Sequence, residues 1–455
     1  MFYKKTFYKD SNTSSMVQES TLNNSNPAGE SLTSKSSNTG EKSGTKYPWA
    51  VFLALAMGML VYGVAESYGP VTALTGALQN YAYLGFSLPY IAGGVGALFS
   101  GALADRIGRK GSFMVTVGMI LIGVAIYAIH NIIALIVSFI LVGMAAIGLE
   151  TPVLSMIAES VPAHLRGKSL VIVQNFGNIG VALMFVPYLL ISSYAAKEAA
   201  TILLFSAPLV ALLIAWGLVR ESEPWSAIKG KKSIDVEDAW QEQDGKAEPV
   251  KPAIGVPMRF FILIIIGMAQ DVAFIYFTYT MGYTYFFSME NLIAVIGGLT
   301  MTAVGVIFGI LFVERISRKS FTIFSYGILV GFWGLMWVFE ALTHSTGGLV
   351  FLTVVALLFI PGEVTWASRG MLEPELFPTG KRGTYISLVR FVVWGGAGVI
   401  NGILNFYILP FVYAAAIVML VFILSLVMTI VWQIKGFETR SKSLSGLDTQ
   451  IPKTP

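Results

Sequence analysis

Apolar runs recur along the chain, each long enough to leave water entirely. A helix needs roughly 20 mainly apolar residues to cross the hydrocarbon core of a bilayer. Twelve such runs are read from the sequence: 48–68, 84–104, 112–129, 132–157, 169–192 and 199–219, then 260–281, 291–313, 320–341, 349–371, 384–405 and 408–434. One charged stretch, 220–258, parts them into two sets of six; it carries Lys229, Lys231, Lys232, Asp235, Glu237 and Asp238 and cannot enter hydrocarbon. The pattern predicts an all-α membrane protein of twelve transmembrane helices. Its halves are 48–219 and 259–434, joined by a central loop. Residues 1–47 are polar, rich in Ser, Asn and Thr, and lack an apolar centre. They predict a disordered tail and no cleavable signal peptide. A second polar tail covers 435–455.

Composition agrees. The 455 residues are 55% hydrophobic and 12% charged, with a mean hydropathy of +0.70; soluble domains carry about 25% charged residues. Cysteine is absent, which removes disulfides, thiolate metal sites and cysteine nucleophiles. A net charge of +4 gives no reason to expect a nucleic-acid partner. The position of the basic residues says more. Arg106, Arg109 and Lys110 follow run 2, Arg166 and Lys168 follow run 4, Arg315, Arg318 and Lys319 follow run 8, and Lys381 and Arg382 follow run 10. Lys197 alone falls on the opposite side, and Arg390 is the one cation read as deep within a run. Basic loops stay in the cytoplasm, so both termini are expected there, with the protein integral to the plasma membrane.

Two patterns recur. Asp105-Arg106-Ile107-Gly108-Arg109-Lys110 returns as Glu314-Arg315-Ile316-Ser317-Arg318-Lys319, 209 residues on. Glu159-x-x-Pro162-x-x-x-Arg166-Gly167 returns as Glu375-x-x-Pro378-x-x-x-Arg382-Gly383, 216 residues on. Both pairs keep their order and their place relative to the runs, as a duplicated six-helix unit would. The copies run in the same direction, a parallel repeat that puts the substrate site between the halves near the midplane.

These same residues carry a resemblance. The segment from Gly101 to Lys110 resembles the signature loop between helices 2 and 3 of the major facilitator superfamily. The Glu-x-x-Pro-x-x-x-Arg-Gly pair, and the tail from Glu438 to Leu444, resemble its sugar-porter and metabolite:proton symporter branches. The resemblance spans about 48–445. It implies a secondary transporter working by alternating access, with the first and fourth helices of each half lining a central cavity. Three positions depart from the sugar-porter pattern. Gln270-Asp271 stands where a Gln-Gln pair is usual, Glu150 lies in mid-helix 4 before Pro152, and Glu66 is one position from the usual acid of helix 1.

An ionisable group inside a span costs about 2.5–3.5 kcal/mol on insertion scales and usually faces a cavity. Glu66, Glu150 and Asp271 are expected to include the proton-coupling group, since desolvation favours a carboxylate's neutral form. Spacings close to that of the repeat relate Glu66 to Asp271 and Glu150 to Glu363. Four acids on the four cavity helices therefore predict a ring around one site. Substrate is expected at Arg390, Glu363, Gln270, Gln174, Asn175 and Asn178. Arginine's planar fork matches a carboxylate or phosphate, though Arg390 could equally neutralise an acid, and the amides could equally join helices. Trp366, Trp394 and Tyr276 could line the cavity or pack. A cytoplasmic gate is expected from Asp105, Arg106, Arg109, Glu159, Arg166, Glu314, Arg315, Arg318, Glu375 and Arg382. Glu159 would latch to Arg166, and Glu375 to Arg382. Pro187, Pro208, Pro361 and Pro410 are candidate helix kinks.

The leading expectation is proton-coupled symport of a small organic anion or phosphate, driven by a proton gradient. No cofactor or metal is expected, and the working unit is a monomer in the bilayer. A sugar or polyol porter is the alternative, and a transporter-like sensor the alternative of another class. An enzyme is not expected, because His130, His164 and His344 stand apart from any nucleophile or metal set.

Overall fold

The computed structural model describes residues 49–74, 79–129, 131–205, 210–211, 214, 217, 219–229, 254–286, 288–343 and 348–442. The expected tail 1–47, the loop charges from Lys231 to Asp238, His130, Pro208, His344 and the last residues of the C-terminal tail lie outside them. The main helices are α1 Trp49–Glu66, α2 Leu88–Ile107, α3 Arg109–Tyr127, α4 Ile132–Ser160, α5 Ala163–Leu190 and α6 Tyr194–Leu204 in the first half. The second half holds α7 Val256–Ile275, α8 Glu290–Leu311, α9 Arg318–Thr343, α10 Gly348–Glu375, α11 Arg382–Tyr407 and α12 Phe411–Lys435. Among the described residues, eleven segments are long and apolar enough to cross a membrane. The sixth expected run, 199–219, begins in α6 and is described only in part. The protein is an all-α membrane protein of twelve transmembrane helices, two six-helix repeats around a central cavity.

Several helices outlast their apolar runs. α4 continues to Ser160 and α10 to Glu375. Charged residues read as link or run-end therefore sit on helix and are buried: Glu159, Arg369, Glu373 and Glu375. Pro152, Pro187, Pro361 and Pro374 lie inside helices, whereas Pro410 precedes the first turn of α12 and caps it, so it is not a kink. Proline is tolerated at a helix start, where its missing N–H is not needed. α1 breaks at Ser67 and resumes at Tyr68–Leu74. α7 passes through a π-helical turn, Tyr276–Thr280, before Met281–Tyr285; such turns are frequent at functional sites.

The halves meet along α2 with α11 and α5 with α8. Small residues set the approach, as in other membrane bundles. A Cβ on Gly94 would lie 2.8 Å from the Phe391 carbonyl oxygen, and one on Gly298 2.7 Å from that of Asn178. Outward faces carry exposed Leu342, Leu349, Leu420 and Ile434, the apolar surface that lipid requires.

Candidate functional site

A small cavity lies at the centre, lined by Tyr62, Glu66, Gly177, Asn178, Val181, Gln270, Phe274, Trp366 and Trp394. α1, α5, α7, α10 and α11 contribute, so both halves build it. Four of the lining side chains are aromatic, and Tyr62 stacks on Trp366 with ring centroids 6.3 Å apart. The polar atoms turned to it are short of partners. Both Glu66 carboxylate oxygens, Asn178 Oδ1, Gln270 Oε1 and the Trp394 indole N–H are buried without a hydrogen bond. Glu66 is the last residue of α1, immediately before the break at Ser67.

Of the four expected acids, Glu66 alone lines the cavity; the ring is not formed. The other three stand behind it with partners. Glu150 receives Arg390 Nη1, the Trp366 indole N–H at 3.1 Å and Gln174 Nε2 at 3.2 Å. Asp271 receives Arg369 Nη1 at 2.7 Å. Among the described residues Glu363 has no ion-pair partner, and it accepts from Asn178 Nδ2 at 2.6 Å. The spacing explains the miss: at the 216 residues relating Glu159 to Glu375, the counterpart of Glu150 is Trp366, which binds it, while Glu363 falls nearly one helical turn away.

Nor is Arg390 the one deep cation. Arg369 is fully buried on α10, bound to Asp271 and 3.4 Å from Glu373. Arg390 gives Nε and Nη2 to Glu373 Oε2 at 2.9 and 2.6 Å and Nη1 to Glu150. A continuous chain of alternating charge results: Glu150, Arg390, Glu373, Arg369, Asp271. It ties α4 of the first half to α11, α10 and α7 of the second. Burying charges is tolerable because each finds an opposite charge and further hydrogen bonds. Sequence reasoning missed Arg369 and Glu373 because they fall where the apolar pattern of α10 fades; a helical reading of the whole segment 348–375 would have placed them four apart on one face. Of the expected substrate amides, Asn178 and Gln270 reach the cavity. Gln174 serves Glu150, and Asn175 lies one step back, giving Nδ2 to the Thr302 carbonyl at 2.7 Å and accepting from Asn178 at 2.8 Å. Trp366 and Trp394 line the cavity; Tyr276 packs edge-on against Trp333 instead.

At the end carrying the basic loops the residues expected as a gate gather in two like clusters of ion pairs and hydrogen bonds. Asp105 caps the start of α11, accepting from Gly383 N, Thr384 N and Thr384 Oγ1 at 3.2, 2.7 and 2.7 Å. Its counterpart Glu314 accepts from Lys168 N at 2.9 Å. Glu159 takes Arg109 at 2.9 Å and, across the halves, Arg382 at 2.6 Å; this replaces the expected pairing with Arg166, which instead reaches the carbonyls of Ala158 and Lys442. Arg318, not Arg382, pairs with Glu375, at 3.4 Å. Arg106 and Arg315 are exposed and their side chains join none of these contacts. Two further residues complete each copy. Glu221 accepts from Arg109 N at 2.8 Å, and Glu438 from Arg318 N at 2.9 Å. Ser222 donates to Glu159, and Thr439 to Glu375 at 2.5 Å. A third repeated element, Glu221-Ser222 and Glu438-Thr439, was thus hidden in segments too short to compare. The opposite end is also packed: Ser67 and Tyr279 hydroxyls meet at 3.0 Å across the halves, and Tyr279 stacks with Tyr90 and Phe185.

The profile of the Major Facilitator Superfamily matches residues 48–402. The chain belongs to the major facilitator superfamily. It is a membrane transporter and not an enzyme. The niacin transporter NiaP of Acinetobacter baylyi is 25% identical over 230 residues, 49% of this chain and 48% of that protein, so the chain spans about half the length of this relative. The probable metabolite transport protein CsbC of Bacillus subtilis is 26% identical over 405 residues, 79% of this chain and 83% of that one. Among solved structures, the proton:xylose symporter XylE bound to 6-bromo-6-deoxy-D-glucose superposes with a TM-score of 0.71 at 18% identity, covering 89% of this chain and 98% of XylE. That likeness is one of fold.

Proposed function

We propose that this transporter couples the movement of a small neutral, hydroxyl-bearing solute, a sugar or polyol, to protons by alternating access. Glu66 carries the reading: a carboxylic acid buried in the cavity wall, with neither oxygen partnered. Such a group is stable there when it holds a proton or meets a donor from the solute, and it can release the proton once the cavity hydrates. Asp271 and Glu150 stand behind it as secondary proton sites whose guanidinium partners can be exchanged. The solute class follows from the wall. It offers hydrogen-bond acceptors at Glu66, Asn178 and Gln270 and flat apolar faces at Tyr62, Trp366 and Trp394. Hydroxyl groups supply donors and a ring face supplies C–H surface for the aromatics.

A small organic anion is the second reading. Arg390 speaks less for it than its sequence position did, because its guanidinium is spent on Glu150 and Glu373. Arg369 favours it: its Nη2 is buried without a hydrogen bond, and protonation of Asp271 would free its Nη1 as well, though its Nε stays 3.4 Å from Glu373. The NiaP relative, named for niacin, a pyridine carboxylate, points the same way. Phosphate lacks an apolar face and suits these walls poorly. We take the latched end as cytoplasmic, the membrane as the plasma membrane and the monomer as the working unit. The test is uptake into proteoliposomes under an inside-alkaline gradient of two labelled pools, neutral sugars with polyols and organic acids with phosphate. Gradient-dependent uptake of the neutral pool supports the first reading. Uptake of the acid pool alone replaces it with the second.

A further inference from the structure

Asn178 faces the cavity in a fixed orientation, and the residues that fix it lie outside the cavity. The order of donors and acceptors leaves no choice of amide rotamer. The Thr302 carbonyl on α8 can only accept, so Asn175 must turn its Nδ2 toward it, at 2.7 Å. Asn175 Oδ1 is then an acceptor, and Asn178 must meet it with Nδ2, at 2.8 Å. The second hydrogen of that Nδ2 goes to Glu363 Oε2 at 2.6 Å. Both N–H bonds of Asn178 are therefore consumed, and its Oδ1 is left buried, unpartnered and in the cavity wall. Interhelical glue alone would not leave a buried carbonyl bare, which is costly unless a ligand satisfies it. Glu363 is held in reach by Gly305 of α8: a Cβ there would lie 2.5 Å from Glu363 Oε1 and 2.6 Å from Asn175 Nδ2.

We propose that Glu363 and Asn175 are positioning residues that hold the Asn178 carbonyl toward the solute, so that this wall position admits an O–H or N–H donor and rejects an acceptor. Glu363 acts here through Asn178 and not by contact with the solute. The inference rests on the neutral-solute reading and adds the residues that set its polarity. With Glu363 absent, Asn175 Oδ1 alone opposes rotation of Asn178 by half a turn, a rotation that presents N–H groups to the cavity and blurs the choice.

The test uses the full chain in proteoliposomes with labelled D-glucose, D-xylose and myo-inositol, taking whichever the wild type carries and competing it with its monodeoxyfluoro analogues, in which one donor at a time is removed. Wild type is expected to discriminate against one analogue by about tenfold, the worth of a single hydrogen bond. Glu363→Gln keeps a side-chain oxygen for Asn178 and should hold KM and discrimination within about twofold. Glu363→Leu should raise KM about tenfold at unchanged maximal rate, with discrimination falling to about threefold or less. Asn175→Val, which removes the other acceptor, gives the same split if the leucine variant does not fold. Unchanged discrimination in both Glu363→Leu and Asn175→Val, or equal impairment of Glu363→Gln and Glu363→Leu in maximal rate with KM unmoved, overturns the positioning role while leaving the neutral-solute reading standing. A wild type that carries none of the three overturns both.

Discussion

Removing Arg390 tests the buried charge chain most directly. Arg390→Met keeps the length of the side chain and deletes its charge. Glu373 then retains Arg369, but only at 3.4 Å. Glu150 keeps the neutral donors Trp366 and Gln174 at 3.1 and 3.2 Å and loses its cation. Breaking a buried pair by removing one partner costs about 3–5 kcal/mol, because the remaining charge is stranded in low dielectric. One full pair is lost and a second is thinned, so the expected destabilisation is about 4 kcal/mol by the same rule. Replacing the whole pair is another matter. Arg390→Met combined with Glu150→Gln removes opposite charges together, and about half of the lost stability should return, the rest being the two hydrogen bonds that Glu373 no longer receives. The assay is equilibrium unfolding in mixed micelles, followed by tryptophan fluorescence. A single variant as stable as wild type, or a double variant no better than the single, would refute the assignment of Arg390 as counter-ion to Glu150.

Glu66→Gln should abolish gradient-driven uptake while sparing solute exchange, measured side by side in proteoliposomes; undiminished driven uptake removes Glu66 from the mechanism. Asp105→Asn loses the charge that caps α11 through Gly383 and Thr384, so turnover should change with little change in solute affinity; a loss confined to affinity contradicts a latch. Gly305→Ala forces a methyl group against Glu363 and Asn175 and should cost about 1–3 kcal/mol as overpacking does, read in the same unfolding assay. Equal stability would mean that α8 is not held so close.

The spans, the duplication and the charged end were legible because each rests on local chemistry. A run of apolar residues must leave water wherever it lies, and the repeated acid-Arg-Ile-x-Arg-Lys and Glu-x-x-Pro patterns survive as letters in order. The partners were not legible. Glu159 stands seven residues before Arg166 in the chain, yet it binds Arg109 and Arg382, because α4 carries it to the seam between halves and Arg166 turns to backbone carbonyls. Spacing grouped Glu363 with Glu150, and a difference of three residues was enough to send one to an arginine and the other to an asparagine.

The sequence by itself determined that this chain crosses a bilayer many times, in two like halves, with acids stranded where acids are expensive. Tertiary structure alone decided which acid faces the cavity. Arg390 and Arg369 are far apart along the chain from Glu150 and Asp271, and only the packing of α4, α7, α10 and α11 brings them within bonding distance. Once those pairs form, the charges they hold are neutralised, and Glu66 is left as the acid that lines the cavity with both oxygens unpartnered. A linear pattern reports what each residue must avoid; which neighbour satisfies it is set by geometry across helices that the pattern does not contain.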